Sequence, residues 1–231
     1  MTKLSKAIAL AGAMTAGLAA VQTQAEEVAI SASAAVSNTY LWRGQDLGSG
    51  TPAVSGDLVA SVGGAYGGVW VSSGDTSLGS EYDLFVGYGG EAGDFSYDVS
   101  IWAYVYPGDD AVNGRGNTFE TTDLIVSVGY GPVSAAYYYV LAGDDDYSYI
   151  TLGAEFGAFS ATLGQANSYD NDDAGVEDED YTHLDLSYAY NDNISFTLSK
   201  VIDQSLDLDD GEPGVDEDTK VVMTYSLPIE L

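Results

Sequence analysis

Residues 129 to 146 read "GYGPVSAAYYYVLAGDDD". Gly131 and Pro132 suit a two-residue turn, Val133 to Ala142 reads as a tyrosine-rich strand, and Asp144, Asp145 and Asp146 close the stretch with three carboxylates. Gly supplies the backbone freedom that a tight hairpin needs, and Pro cannot continue a strand ladder. A turn at one end and a block of charge at the other place the two ends of this strand in different surroundings.

The same pattern runs through the chain. Leu58, Ala60 and Val62 alternate with Asp57, Val59 and Ser61; Tyr82, Leu84, Val86 and Tyr88 alternate with Asp83, Phe85 and Gly87; Tyr97, Val99 and Ile101 alternate with Asp98, Ser100 and Trp102. Period-two alternation is the signature of strands with one apolar and one polar face. It predicts twelve strands, near 28–42, 52–62, 65–73, 81–88, 95–106, 118–130, 133–142, 147–156, 159–167, 181–190, 194–202 and 219–227. No helical period of comparable length competes.

The connections sort into two kinds. GG, GP and GA are short, whereas PGDDAVNGRGN, SYDNDDAGVEDED and DQSLDLDDGEPGVDED are long and acidic, and long and short alternate down the chain. An up-and-down meander puts alternate connections at opposite ends of the sheet. The fold class expected is therefore all-β: an up-and-down antiparallel transmembrane β-barrel of about 12 strands, with short periplasmic turns and long acidic extracellular loops. A soluble barrel has the same periodicity with its faces exchanged. The choice of membrane rests on loop asymmetry, on strands near the ~9–11 residues of a tilted span, and on tyrosines near strand ends. Tyr104, Tyr106, Tyr147 and Tyr149 are expected in a headgroup-level girdle at the loop end, with Tyr88, Tyr130, Tyr188 and Tyr190 at the turn end. Tyr137 to Tyr139, in mid-strand, fit such a girdle poorly.

Lys3 and Lys6, then the apolar run Ala7 to Val21, then Thr23-Gln24-Ala25, have the layout of a secretory signal peptide over residues 1–25, with the barrel over 26–231. The leader takes two of the six basic residues, leaving Arg43, Arg115, Lys200 and Lys220 against 36 acidic ones. Nucleic acid, which needs clustered Lys and Arg, is excluded as a partner. There is no cysteine, and the sequence calls for no cofactor and no metal.

The segments "SNTYLWRG", "PAVSGDLVASVGGAYGGVWVSSG", "GSEYDLFVGYGGEAGDFSYDVSIWAYVYPG" and "NTFETTDLIVSVGYGP" resemble the TorF family of proteobacterial porins. The resemblance runs from about Ser37 to Ala142 and begins with the motif of Tyr40, Trp42, Arg43 and Gly44. It implies an outer-membrane pore, and it supplies neither a substrate nor catalytic residues.

With the Leu, Val and Tyr faces turned to lipid, Asp57, Asp83, Asp98, Asp123, Glu155 and Asp185 point into the lumen; Glu120 falls on the other face and is the one misfit. Carboxylates in hydrocarbon are expensive, so their segregation supports this register. Twelve strands lie between a filled eight-stranded barrel and a wide porin. The expectation is a small, cation-preferring diffusion channel in the outer membrane, monomeric, with lipid, lipopolysaccharide and small solutes or ions as partners. The alternative is a closed barrel, structural or ligand-binding, whose surface loops at Asp144–Asp146, Asp172, Asp173, Asp209 and Asp210 bind cations loosely. "DNDDAGVEDEDY" lacks the fifth and twelfth ligands of an EF-hand. No enzyme is expected. His183, Asp185 and Ser187 share one strand face, but side chains two apart stand about 7 Å from each other, beyond the ~2.6–3.2 Å contact of a nucleophile and its base. Arg43 and Trp42 at the first loop rim are candidates for an anchoring role.

Overall fold

The computed structural model describes residues 28–108, 116–143, 147–168, 180–205 and 215–229. The signal-peptide reading of residues 1–25 and the loop aspartates Asp144–Asp146, Asp172, Asp173, Asp209 and Asp210 lie outside the described residues. Twelve strands close into one antiparallel barrel: β1 (Ala29–Ser37), β4 (Ala53–Val62), β5 (Ala65–Asp75), β6 (Gly79–Ala92), β7 (Phe95–Val105), β8 (Thr121–Tyr130), β9 (Val133–Ala142), β10 (Tyr147–Phe156), β11 (Phe159–Ser168), β12 (Tyr181–Ala189), β13 (Ile194–Gln204) and β14 (Lys220–Ile229). Each strand pairs with the next in sequence, and β1 closes the ring by pairing with both β4 and β14. A further two-stranded hairpin, β2 (Leu41–Trp42) and β3 (Gln45–Asp46), interrupts the connection between β1 and β4.

Gly131 opens its turn with φ of 57°, and Gly63, Gly93 and Gly157 do the same at three other turns of that end. Gly at the first central position of a two-residue loop gives the primed turns whose twist matches that of the strands. All the long connections gather at the opposite end. These are called the turn end and the loop end below.

The wall is apolar outside, and its inner face carries the buried polar and charged side chains. Val86, Leu152 and Val221 are 61%, 57% and 57% exposed on the outer face, while Asp83 and Ser199 are fully buried on the inner one. A soluble barrel would have these reversed; apolar-out, polar-in alternation is the pattern of a barrel standing in lipid. Asp57, Asp83, Asp98, Asp123, Glu155 and Asp185 occupy the inward phase of their strands, with Glu155 exposed at the turn-end rim.

Three expectations need correction. The first predicted strand, 28–42, ends at Ser37, because Arg43 and Gly44 have φ of 48° and 84° and fold the following residues into the β2–β3 hairpin. The strand predicted over 118–130 begins only at Thr121, so the misfit Glu120 lies in the loop, where its carboxylate accepts from the backbone and side-chain nitrogens of Asn117. Finally, Tyr104 and Tyr149 are not girdle residues. They point inward and are 5% and 3% exposed, with Tyr106 and Tyr147 half-buried against the same inner cluster. The turn end does carry exposed rings, at Tyr88, Tyr130, Tyr190, Phe156 and Phe159. Within "YYY", Tyr137 and Tyr139 face outward and Tyr138 is buried inside.

A charge on the outer face at mid-strand will expose the membrane dependence of this register. Val126→Arg is expected to cost about 2–4 kcal/mol of barrel stability in lipid vesicles, and Ser127→Arg, on the inner face beside it, distinctly less, as read by equilibrium unfolding in urea.

Candidate functional site

The loop-end half of the barrel is filled. Phe85, Trp102, Tyr104, Ile125, Tyr138, Tyr149, Tyr181 and Val201 form one buried cluster inside the wall, with Phe85 and Trp102 stacked at 4.2 Å between ring centroids. In the turn-end half, by contrast, many inward positions are small and half-buried, among them Ser61, Gly87, Gly89, Ser127, Gly129 and Gly153, although Tyr66 also points inward and Asp98, Ser187 and Thr197 are buried there. The lumen is thus polar at one end and plugged by rings at the other, where a polar lining throughout was expected.

The hairpin completes the plug. It leaves the wall at Ser37 and returns at Ala53, and these two residues are themselves ladder partners. Its turn is Arg43-Gly44, flanked by the pairs Trp42 with Gln45 and Leu41 with Asp46. Positive φ at both central residues is the type I′ geometry, which Gly accepts freely and Arg does not. Gly44 is required for a second reason: a Cβ there would stand 2.5 Å from Cγ of His183. Leu41, 2% exposed, packs the hairpin from its own side, and Leu47 N–H donates to the Tyr40 carbonyl at 2.8 Å to close its base.

The tip reaches the far side of the ring. Arg43 Nη2 donates to Asp123 Oδ2 on β8 at 2.9 Å, and both residues are buried. The guanidinium carbon lies 4.8 Å from the ring centre of Tyr138, 4.8 Å from that of Tyr149 and 5.3 Å from that of Tyr147, with Trp42 behind it at 4.4 Å. Tyr104 donates to the same Asp123 oxygen at 3.3 Å. Tyr181 Oη donates to the Arg43 carbonyl at 2.9 Å and accepts from Gln45 Nε2 at 2.9 Å. At the base, Tyr40 Oη donates to Glu81 Oε2 at 2.7 Å, and Tyr106 donates to the other oxygen at 2.7 Å. The motif residues Tyr40, Trp42, Arg43 and Gly44 therefore do one job together, seating the hairpin in the lumen.

The other inward carboxylates are met in different ways. Asp98 accepts from Tyr66 Oη at 2.8 Å, Asp57 accepts from Ser33 Oγ, and Glu155 stays exposed. Both oxygens of Asp83, fully buried between Trp70 on β5 and Tyr104 on β7, lack a hydrogen-bond partner among the described residues. Lys220, at the inner face of the mouth, lies 3.2 Å from Asp216; the Asp218 N–H first, and then Lys220, hold the Asp216 carboxyl below the usual range.

His183 and Asp185 meet more closely than their i, i+2 spacing suggests, whereas the nucleophile-to-base contact set aside on that spacing is not formed. His183 Nδ1 stands 3.1 Å from Asp185 Oδ1, and its Nε2 stands 2.7 Å from Tyr149 Oη. Ser187 is turned away to Thr197, at 2.8 Å. The chain Tyr149, His183, Asp185 is 1–3% exposed and lies beneath the hairpin tip, so it orients the Tyr149 ring that faces Arg43. Among the described residues, no group of three His, Asp or Glu is placed to hold a metal.

The sequence profile of Gcw_chp, a bacterial protein of unknown function, matches residues 21–211. This chain belongs to the Gcw_chp family. The match extends well past the half that carried the TorF resemblance, and the hairpin and its cage of rings lie within it. No curated protein matches the chain. Among solved structures, a chain from a study of in-meso crystallization of membrane proteins superposes with a TM-score of 0.52 at 10% identity, covering 86% of this Gcw_chp chain and 83% of its own. That likeness bears on the fold alone.

Removing one partner of a buried pair leaves the other charge uncompensated. Arg43→Ala is expected to lower stability by about 3–5 kcal/mol, and Arg43→Ala with Asp123→Ala by clearly less than the sum of the two single changes. Gly44→Ala is expected to destabilise through both its φ and His183. Thermal unfolding of the four variants in detergent checks both outcomes.

Proposed function

We propose that this Gcw_chp protein is an outer-membrane channel for small solutes, cation-preferring, and closed in this structure by its first extracellular hairpin. The observation that carries the reading is the seating of Arg43: a loop residue crosses the lumen to pair with Asp123 on the opposite wall. A barrel that served only as a strut would need no such excursion, since β1 and β4 already pair from Ser37 to Ala53. Below the hairpin, Asp57 is half-buried, Glu155 exposed and Asp98 buried against Tyr66, and no basic residue stands among the described inward positions of the turn-end half, a field that gathers cations and repels anions. The TorF resemblance points the same way.

In this reading the long acidic connections face the outside and the glycine turns the periplasm, with lipid and lipopolysaccharide around a monomeric wall. Small ions or solutes are the cargo, and nucleic acid is not a partner. Catalysis is no part of it: His183 and Asp185 support a ring at the plug.

Planar bilayers test the proposal. Full-length barrel is expected to conduct weakly, and a variant with residues 39–50 replaced by a short Gly-Ser link to conduct several-fold more, with a reversal potential in a KCl gradient that marks potassium over chloride. Asp57→Asn with Asp98→Asn is expected to move that potential toward zero. Chloride preference, or silence from folded protein with the hairpin removed, rejects the channel in favour of a closed structural or ligand-binding barrel.

A further inference from the structure

The plug raises a chemical question of its own. The groups around the Arg43 guanidinium, apart from Trp42, belong to three consecutive wall strands: Asp123 on β8, Tyr138 on β9, and Tyr147 and Tyr149 on β10. These strands are joined by antiparallel ladders, Asp123 with Val140 and Tyr138 with Tyr149 among the pairs, with a register shift between Thr122 and Asp123. Tyr149 is fixed further by His183, which is held in turn by Asp185. Side chains on paired strands, with their own supporting contacts, form a site that does not depend on what fills it. The occupant is attached differently. It rides on a two-residue turn whose excursion begins and ends at one ladder pair, so withdrawing it breaks no strand-to-strand hydrogen bond of the wall, only the contacts that seat the hairpin, such as those of Tyr181 with Arg43 and Gln45 and of Tyr40 with Glu81.

We propose that Asp123 and the rings of Tyr138, Tyr147 and Tyr149 are a binding site for an organic cation of the guanidinium class, and that Arg43 is its built-in competitor. One carboxylate beside three tyrosine faces is the chemistry that recognises a planar or alkylated cation. The rings attract positive charge through their quadrupoles, more strongly once water is excluded, and the carboxylate accepts a charge-assisted hydrogen bond that fixes orientation. Small metal ions fit poorly, for they require a shell of oxygens, and here a single carboxylate is surrounded by carbon faces. A guanidinium solute entering from the loop end contends with Arg43 for the same box, and the hairpin yields as the solute takes its place. This last step rests on the channel reading above; the binding site does not.

Calorimetric titration of the folded, detergent-solubilised full chain with methylguanidinium chloride, at constant ionic strength, separates the two. Arg43→Ala is expected to show one saturable site, and the wild-type chain the same site at least about tenfold more weakly, because Arg43 occupies it. Adding Asp123→Asn to Arg43→Ala is expected to weaken binding at least about tenfold, the worth of a hydrogen bond to a charged group. Should Arg43→Ala fail to fold, the variant with residues 39–50 replaced by a Gly-Ser link presents the same wall and is held to the same expectation. Absence of saturable heat from that folded variant, or binding indifferent to Asp123→Asn, overturns the site. Saturable binding alongside bilayer silence upholds the site and removes the channel; conductance without binding does the reverse.

Discussion

In the membrane reading proposed above, every backbone amide in the wall has to find a partner within the wall, since hydrocarbon offers none. That requirement makes closure of the ring the condition for everything else. It is met by β1, which lies between β4 and β14 and pairs with each along antiparallel ladders. Its sequence, AISASAAVS, is built of small residues, which lets the first strand lie between two neighbours without crowding the lumen. Once the ring is shut, the pleat alone decides which side chains meet lipid. A shift of one residue in any strand would exchange the faces and carry Asp83, Asp98, Asp123 or Asp185 onto the apolar outer face.

Closure leaves a cylinder whose interior has to be filled or wetted, and this protein does both. The turn-end half has many small, half-buried inward residues; the loop-end half is packed with rings, and the hairpin is driven in among them. Burying Arg43 has a desolvation cost that Asp123 and three tyrosine faces offset together, and the hairpin gains Leu41 and Tyr40 as further anchors. The buried carboxylate is specific in what it accepts: Asp123 takes a cation delivered at that depth, and Arg43 delivers one. The neighbouring Asp83, fully buried beside the Glu81 carboxyl and reached by no basic side chain among the described residues, shows how the same wall looks where no such residue arrives.

Much of this was legible in the chain. Strands at 133–142 and 147–156 fall where alternation and the Gly131-Pro132 turn place them, and the six inward carboxylates follow from the phase of their strands. The hairpin was not legible, for a physical reason. Tyr40-Leu41-Trp42 carries on the alternation of β1, and Arg is an unusual first residue for a type I′ turn, which favours Asn, Asp or Gly there. What signal there was lay in charge: Arg43 is one of very few basic residues in an acidic chain rich in tyrosine. The loop-end tyrosines were misplaced because a ring near a strand end suits a headgroup and a lumen equally, and only the parity of its position tells them apart. Tyr149 sits in phase with Thr151, and Tyr104 in phase with Trp102, both facing inward.

The grip on β14 is uneven. It is held by six residue pairs to β13, through Lys220–Tyr225, and by six to β1, through Thr224–Ile229, whereas β6 and β7 share eleven. Pro228, which faces Ser33 in the seam, has no N–H to contribute to it. Pulled or denatured, the cylinder should peel at this strand, leaving an eleven-stranded open sheet whose two bare edges invite another copy of themselves. The seam that completes the wall is thus also where it would begin to unzip, and the last strand made is the natural latch of the whole assembly.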